Sequence, residues 1–202
     1  MIEKKAVLFD LDGVLVDACA IHYQALNLTL QARGHDPIPM DKHLDYYNGL
    51  PTKTKLKLMC ITGEEALVIE EQKQKATISL IESNVKRDSE KVKLLLDLHR
   101  TGYALGCVTN CSPKTAAMML SKAGLLRHLN TVVTNADVQH PKPSPEGYQL
   151  AMTRLQVLSR NTWIVEDSPK GIMAAKATGA GVIAVNGPEE VTLRLLLRYL
   201  LK

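Results

Sequence analysis

Beyond Asp88 the chain alternates between apolar runs typical of strands and segments with helical spacing. The apolar runs lie at 103–108, 131–134, 162–166 and 181–185. The helical segments lie at 89–101, 113–123, 145–156, 169–178 and from about Pro188 onward. A further apolar run, 6–9, stands near the N-terminus. Such alternation predicts an α/β fold with a parallel sheet covered by helices.

Two carboxylates follow the first predicted strand. Asp10 and Asp12 come directly after the run 6–9, and residues two apart in a continuing strand share one face. Like charges held that close are unfavourable unless a cation or a shared proton compensates them. Gly13 allows a sharp turn that leaves both groups at the edge of the sheet. The segment predicts either a metal-assisted carboxylate site or a solvated turn, because Asp-Gly is a common turn pair.

Polar groups also stand near the ends of later strands. Thr109 and Asn110 follow one strand, and Lys142 is held between stiffening prolines. Glu166 and Asp167 end another strand, just before a helix start. If these strands are parallel, the hydroxyl, the ammonium and both acidic pairs can converge at the carboxyl edge of one sheet. Ligands bind at that edge in open α/β folds.

The order of these segments resembles the haloacid dehalogenase-like hydrolase superfamily over nearly the whole chain. In that superfamily an Asp-x-Asp-Gly motif is followed by a strand-ending Ser or Thr, a Lys, and a strand-ending acidic pair. The matching positions here are Asp10 and Asp12, Thr109, Lys142, and Glu166 with Asp167. The resemblance implies a Rossmann-like catalytic core formed by residues 1–14 and 89–202, with an inserted small all-helical cap over residues 15–88.

The segment 15–88 shows helical periodicity with little strand character. One amphipathic helix is predicted to end at Gly34, and another to begin at the capping-box sequence Thr62-Gly63-Glu64-Glu65. In the superfamily a cap of this kind closes over the substrate and excludes water. The resemblance therefore implies a small phosphorylated molecule as substrate.

The resemblance also implies catalytic roles. Asp10 is the expected nucleophile and Asp12 the expected general acid and base, with Thr109 and Lys142 stabilising the transferring phosphoryl group. Mg²⁺ is the expected cofactor. Its expected protein ligands are the Asp10 carboxylate, the Asp12 backbone carbonyl and Asp167, with Glu166 assigned to the same metal site in its outer shell.

Candidate substrate-binding groups are Asn110 in the core and His22, Lys53 and Lys75 in the cap. Lys53 lies in the segment 48–55, which looks like the substrate loop of β-phosphoglucomutase and of sugar-phosphate phosphatases in the same subgroup. For each of the three cap residues, a solvated or hinge-packing role is an equally good interpretation.

The predicted function is a Mg²⁺-dependent phosphatase that hydrolyses a small phosphate monoester, with a sugar phosphate favoured, through an aspartyl phosphate. One alternative is a β-phosphoglucomutase-like phosphotransferase. Against it, the cap arginine of the mutase is replaced here by Thr52 with Lys53 beside it, and lysine lacks the bidentate fork of arginine. A further alternative is a catalytically silent binding module, although the full set of motif residues argues against it.

The composition limits which classes of binding partner and which cellular compartment are expected for this chain. The net charge is only +4, the 25 basic residues are spread along the chain, and aromatic residues make up 4%, which argues against a nucleic-acid partner. No apolar run reaches the length of a membrane span. The 4 cysteines lack metal-ligand spacing, and no secretory signal precedes the first strand, so reduced thiols in a cytoplasmic protein are expected. A monomer or weak dimer is expected.

Because Cys111 lies two residues after Thr109, it is a candidate pocket residue or a partly buried structural thiol.

Overall fold

The computed structural model describes residues 3–47 and 50–201. The chain divides into two compact units, with boundaries after Asp17 and before Val85. We call residues 18–84 the helical unit and the remainder the core unit. None of the described helices is long and apolar enough to cross a membrane.

The core unit contains a parallel five-stranded sheet. Its strands are β1 Lys5–Phe9, β2 Tyr103–Val108, β3 Thr131–Val133, β4 Thr162–Glu166 and β5 Gly181–Ala184. Their order in the sheet is β3-β2-β1-β4-β5. The central register pairs Leu8 with Gly106 on one side and with Ile164 on the other. The parallel sheet predicted from the alternation is confirmed.

Continuous apolar strands explain why β1 lies at the centre. Residues 6–9 are fully buried and every residue of β2 is buried, as expected when helices cover both faces of a parallel sheet. The helices in chain order are α1 Cys19–Ala32, α2 Met40–Lys42, α3 Thr52–Leu58, α4 Gly63–Asn84, α5 Ser89–Arg100, α6 Pro113–Lys122, α7 Glu146–Leu155, α8 Pro169–Ala177 and α9 Leu193–Leu200.

Side-chain caps mark where several core helices begin. Ser112 accepts a hydrogen bond from the Thr115 amide, and Ser168 accepts one from the Gly171 amide. Proline follows each of these serines at the first helical position, where its missing N–H is not needed. The caps fix the starts of α6 and α8 directly after polar segments at the carboxyl edge of the sheet.

The start predicted for the last helix is wrong. Pro188–Glu190 forms a single 3-10 turn, and α9 begins only at Leu193. The physical reason is the cap: the Thr192 side chain accepts a hydrogen bond from the Leu195 amide, so the helical hydrogen bonding begins there.

The helical unit is held together mainly by packing of α1 against α4. Its apolar cluster includes Leu26 and Leu30 of α1, Leu56 of α3 and Ile69 of α4. Asn48 and Gly49 of the substrate-loop resemblance lie outside the described residues. The part of that loop from Thr52 onward belongs to helix α3, which is too short for its periodicity to be recognised in the sequence.

Candidate active site

A tight loop follows β1 at the carboxyl edge of the sheet. The strand ends at Phe9, and the Asp10 amide still donates to the Val165 carbonyl at 3.0 Å. The chain then turns, with the Gly13 amide donating to the Val16 carbonyl at 2.8 Å and Gly13 at φ +87°. The expectation that two aspartates share one strand face is therefore wrong, because the strand stops before them.

The Lys142 ammonium lies at the centre of the site. Its Nζ donates to Asp10 Oδ1, to the Val108 carbonyl at 2.7 Å and to Glu166 Oε1 at 2.7 Å. The Tyr148 ring covers it, with the ring centroid 4.7 Å from Nζ. A lysine ammonium has three N–H donors, so each of them has an acceptor here.

Charges in this pocket shift one another's pKa. Burial alone would lower the pKa of Lys142, but Asp10, Tyr148 and Glu166 raise it well above its usual range. Burial raises the pKa of Asp10 well above its usual range, against the opposing effect of Lys142. An ionised Asp10 therefore depends on nearby positive charge.

Glu166 is fully buried and accepts hydrogen bonds on both oxygens. Besides Lys142, the Tyr148 hydroxyl donates to Oε1 at 2.8 Å. The Asp167 and Ser168 amides donate to Oε2 at 3.0 and 3.1 Å. A Cβ at Gly171 would lie only 1.7 Å from Oε1, so glycine is needed for this approach. With both oxygens occupied, Glu166 is built to orient Lys142.

Asp167 has the opposite character. Its buried Oδ1 has no hydrogen-bond partner among residues 3–47 and 50–201. A Cβ at Gly13 would lie 2.2 Å from Oδ2, so the glycine also makes room for this carboxylate. Burial, reinforced by the charge of Glu166, raises the pKa of Asp167 to about 6. A buried carboxylate oxygen without a donor, close to the Asp10 loop, fits a hard divalent cation that takes oxygen ligands.

The strand-ending segment after β2 supplies hydroxyl, amide and thiol groups. Thr109 is buried, and its Oγ1 accepts from the Cys111 amide at 3.0 Å. The Asn110 side chain accepts from the Lys142 amide at 3.0 Å and donates to the Lys142 carbonyl at 3.2 Å. Cys111 Sγ donates to Asp12 Oδ2 at 2.9 Å. Burial, followed by the charge of Asp12, raises the pKa of Cys111 well above its usual range, so the thiol is a protonated donor.

In a comparison with known proteins, residues 7–185 of the chain match the family model of haloacid dehalogenase-like hydrolases. The chain belongs to this family. A hexitol phosphatase A of Escherichia coli K12 is 29% identical, over 92% of this chain and 85% of that protein. A phosphorylated carbohydrates phosphatase of Thermotoga maritima is 27% identical, over 93% of this chain and 96% of that protein.

The fold is also similar to solved structures. A crystal structure of β-phosphoglucomutase from Clostridium difficile superposes with a TM-score of 0.79 and 20% identity, covering 96% of each chain. At this identity the likeness concerns the fold alone. The chain is thus a haloacid dehalogenase-like hydrolase whose relatives include phosphatases.

The helical unit of this hydrolase separates two of the predicted substrate-binding residues. Lys73 Nζ lies 3.3 Å from His22 Nδ1, whereas Lys75 pairs with Glu71 at 2.6 Å with both side chains exposed. Residues two apart on a helix point about 200° apart, so Lys73 and Lys75 face different ways. Lys53 is exposed on α3. Roles in substrate binding for His22, Lys53 and Lys75 stay predictions.

Sequence reasoning missed three contacts of this hydrolase, two in the core unit and one in the helical unit. These are the Tyr148 hydroxyl on Glu166, the Asn110 side chain on the Lys142 backbone, and the Lys73 ammonium beside His22. For Lys73, the sequence contains a signal, because the helical periodicity of α4 decides which of its residues can face α1. For Tyr148 and Asn110, the sequence offers only a polar residue near a motif, without its partner.

Proposed function

We propose that this chain hydrolyses a small phosphate monoester, favouring sugar phosphates, through an aspartyl phosphate on Asp10 with Mg²⁺ as cofactor. The observation that carries the proposal is the buried pair of Asp10 and Lys142 at the carboxyl edge of the sheet. A carboxylate whose charge depends on an adjacent ammonium is suited to phosphoryl transfer when a carboxylate oxygen without a partner in the described part of the chain, Asp167 Oδ1, lies nearby.

Three groups are proposed to hold the cation. They are the Asp10 carboxylate, the Asp12 backbone carbonyl and the Asp167 carboxylate. Bound Mg²⁺ would supply charge neutralisation between the nucleophile and the phosphate. Glu166 is left out of the direct ligands, because Lys142, Tyr148 and backbone amides already occupy its oxygens.

In the first half-reaction an Asp10 carboxylate oxygen attacks phosphorus and forms a new P–O bond. The bond from phosphorus to the leaving oxygen breaks, and the Asp12 carboxylic acid gives that oxygen its proton. Lys142 balances negative charge on Asp10 and on the phosphoryl oxygens, and the Thr109 hydroxyl is proposed to donate to those oxygens.

In the second half-reaction water attacks the phosphorus of the aspartyl phosphate. Asp12, now a carboxylate, takes a proton from that water as the new P–O bond forms. The bond between phosphorus and Asp10 breaks, which releases inorganic phosphate and restores the Asp10 carboxylate. Asp12 is restored as the acid, so the cycle balances.

The decisive experiment is Asp10→Asn, assayed by phosphate release across a panel of phosphorylated metabolites. The nearly isosteric change should reduce turnover of the best substrate to below about a hundredth of the wild-type rate. Asp97→Asn, at a position on α5 paired with Arg100, is the matched control and should keep full activity. EDTA should abolish phosphate release by the wild type, and added Mg²⁺ should restore it. Turnover by Asp10→Asn, or metal-independent turnover, would contradict the proposal.

The names of the relatives support carbohydrate phosphates as the substrate class. The mutase alternative predicts a different product: glucose 6-phosphate from β-glucose 1-phosphate with catalytic 1,6-bisphosphate. We expect inorganic phosphate instead, because lysines without the fork of an arginine give a weaker grip on a second phosphate. Stoichiometric glucose 6-phosphate without phosphate release would favour the mutase.

A further inference from the structure

The Cys111 thiol contacts the carboxylate that the proposed mechanism uses as acid and base. Its Sγ lies 2.9 Å from Asp12 Oδ2, although the two residues are 99 positions apart in the chain. The Cys111 backbone is fixed on both sides: its amide donates to Thr109 Oγ1, and its carbonyl accepts from the Asn135 amide at 3.2 Å. The thiol therefore meets Asp12 from a rigid position.

We propose that Cys111 is a positioning residue for the acid–base step. Its thiol donates to Asp12 Oδ2 and so fixes the orientation of the Asp12 side chain. The inference rests on the proposed function, since it concerns the role of Asp12 in that reaction. The thiol keeps its own proton throughout, and the only proton that moves passes between the Asp12 carboxyl group and the leaving oxygen or water.

The contact favours the transition state for a simple electrostatic reason. A hydrogen bond to a carboxylate is stronger than one to a neutral carboxylic acid. As Asp12 gives its proton to the leaving oxygen, negative charge develops on Oδ2 and the S–H bond to it strengthens. An interaction that is stronger in the transition state than in the ground state accelerates the step.

The contact also restrains the Asp12 side chain. Asp12 lies between the end of β1 and the turn at Gly13, where its backbone forms an isolated bridge with Val16. A fixed donor on Oδ2 limits rotation of the carboxyl group. General acids need their proton within hydrogen-bond distance of the accepting atom, so this restriction serves catalysis.

The test compares two substrates that differ in their need for a proton. Phenyl phosphate has a poor leaving group that needs an acid, whereas p-nitrophenyl phosphate has a good one. Single-turnover release of phenol and of nitrophenol isolates the first half-reaction. Cys111→Ala should slow release from phenyl phosphate about tenfold, the change expected for one hydrogen bond to a charged group, and slow p-nitrophenyl phosphate less than about threefold.

Two further variants separate positioning from packing. Cys111→Ser retains a donor and should restore the phenyl phosphate rate to within about threefold of wild type. Cys107→Ala removes a fully buried thiol in β2 and should affect both substrates equally. Equal losses with both substrates in Cys111→Ala, or no rescue by serine, would overturn the inference.

A double variant distinguishes failure of the inference from failure of the proposed function. In an Asp12→Asn background, Cys111→Ala should add no further discrimination between the two substrates, since residues that act as a unit are not additive. If Asp12→Asn itself shows no preference for the good leaving group, the acid role of Asp12 in the proposed function is wrong. If Asp12→Asn shows this preference for the good leaving group and Cys111→Ala does not, only the inference about Cys111 fails.

Discussion

Replacing Lys142 by methionine tests the charge balance of the site directly. The substitution keeps a long unbranched side chain but removes the ammonium from Asp10, Glu166 and the Val108 carbonyl. Two buried carboxylates then face each other without that compensating charge. Removing one partner of a buried ion pair typically destabilises a protein by about 3–5 kcal/mol.

The stability deficit of Lys142→Met should depend on pH in a direction that follows from the pKa of Asp10. Burial already raises the pKa of Asp10 in the wild type, and loss of Lys142 removes the opposing effect, so the folded-state pKa rises further. When the pKa of a carboxyl group is raised in the folded state, the free energy of unfolding falls as the pH rises toward that pKa. It recovers as the pH falls again. For one proton the limit is about 1.4 kcal/mol per pH unit. The deficit should therefore be larger at pH 8 than at pH 6, by at most about 3 kcal/mol over these two pH units.

Urea unfolding of wild type and Lys142→Met in EDTA, at pH 8, 7 and 6, measures this difference. Lys91→Met is the matched control, because Lys91 is also buried but donates to the Pro188 and Val191 carbonyls instead of to carboxylates. Its deficit should not change between pH 8 and 6. A Lys142→Met deficit that is equally independent of pH would refute the view that Lys142 compensates buried carboxylate charge.

Of three further predictions, two concern residues near this pair and one concerns a residue of the helical unit. Gly13→Ala would force its Cβ against Asp167 Oδ2, so the Mg²⁺ concentration for half-maximal phosphate release should rise about tenfold or more. Tyr148→Phe removes the hydroxyl donor to the Glu166 carboxylate and should lower the free energy of unfolding by about 2 kcal/mol in urea titrations. Burial, together with the charge of Lys55, lowers the pKa of His43 to about 4. Since the unfolded histidine titrates near its ordinary value, stability should fall by up to about 3 kcal/mol between pH 6.5 and 4. His43→Leu should abolish that part of the pH dependence, and an unchanged profile would contradict the assignment.

The parts of the fold that depend on local pattern could be predicted from the sequence. Strands β2 and β4 have the predicted bounds, because each is a continuous apolar run that ends at a polar residue. The turn at Gly13 was also predictable, since glycine accepts its positive φ. These features are decided by residues that are neighbours in the chain.

The contacts that shape the site could not be predicted in this way. Tyr148 reaches Glu166 across 18 residues, and Asn110 reaches the Lys142 backbone across 32. Each pairing depends on how two elements pack, and the sequence shows only that a polar residue is present. The role of Lys75 stays a prediction. That Lys73 and not Lys75 lies beside His22 depends on the rotational phase of a long helix with a weakly apolar face.

The arrangement around Lys142 explains how one ammonium can serve both halves of the proposed reaction. Val108 and Glu166 accept two of its N–H groups, and neither of them takes part in bond making. Glu166 is itself held by Tyr148 and by backbone amides, so it cannot follow Asp10 when that side chain changes its bonding. When Asp10 becomes an acyl phosphate, it loses its carboxylate charge, and the phosphoryl oxygens carry the negative charge next to Lys142. Lys142 stays anchored by its two fixed acceptors, and its third N–H can turn from the carboxylate to a phosphoryl oxygen. In the proposed reaction, the ammonium therefore stabilises the nucleophile before the attack and the phosphoryl group after it, with little reorganisation between the two.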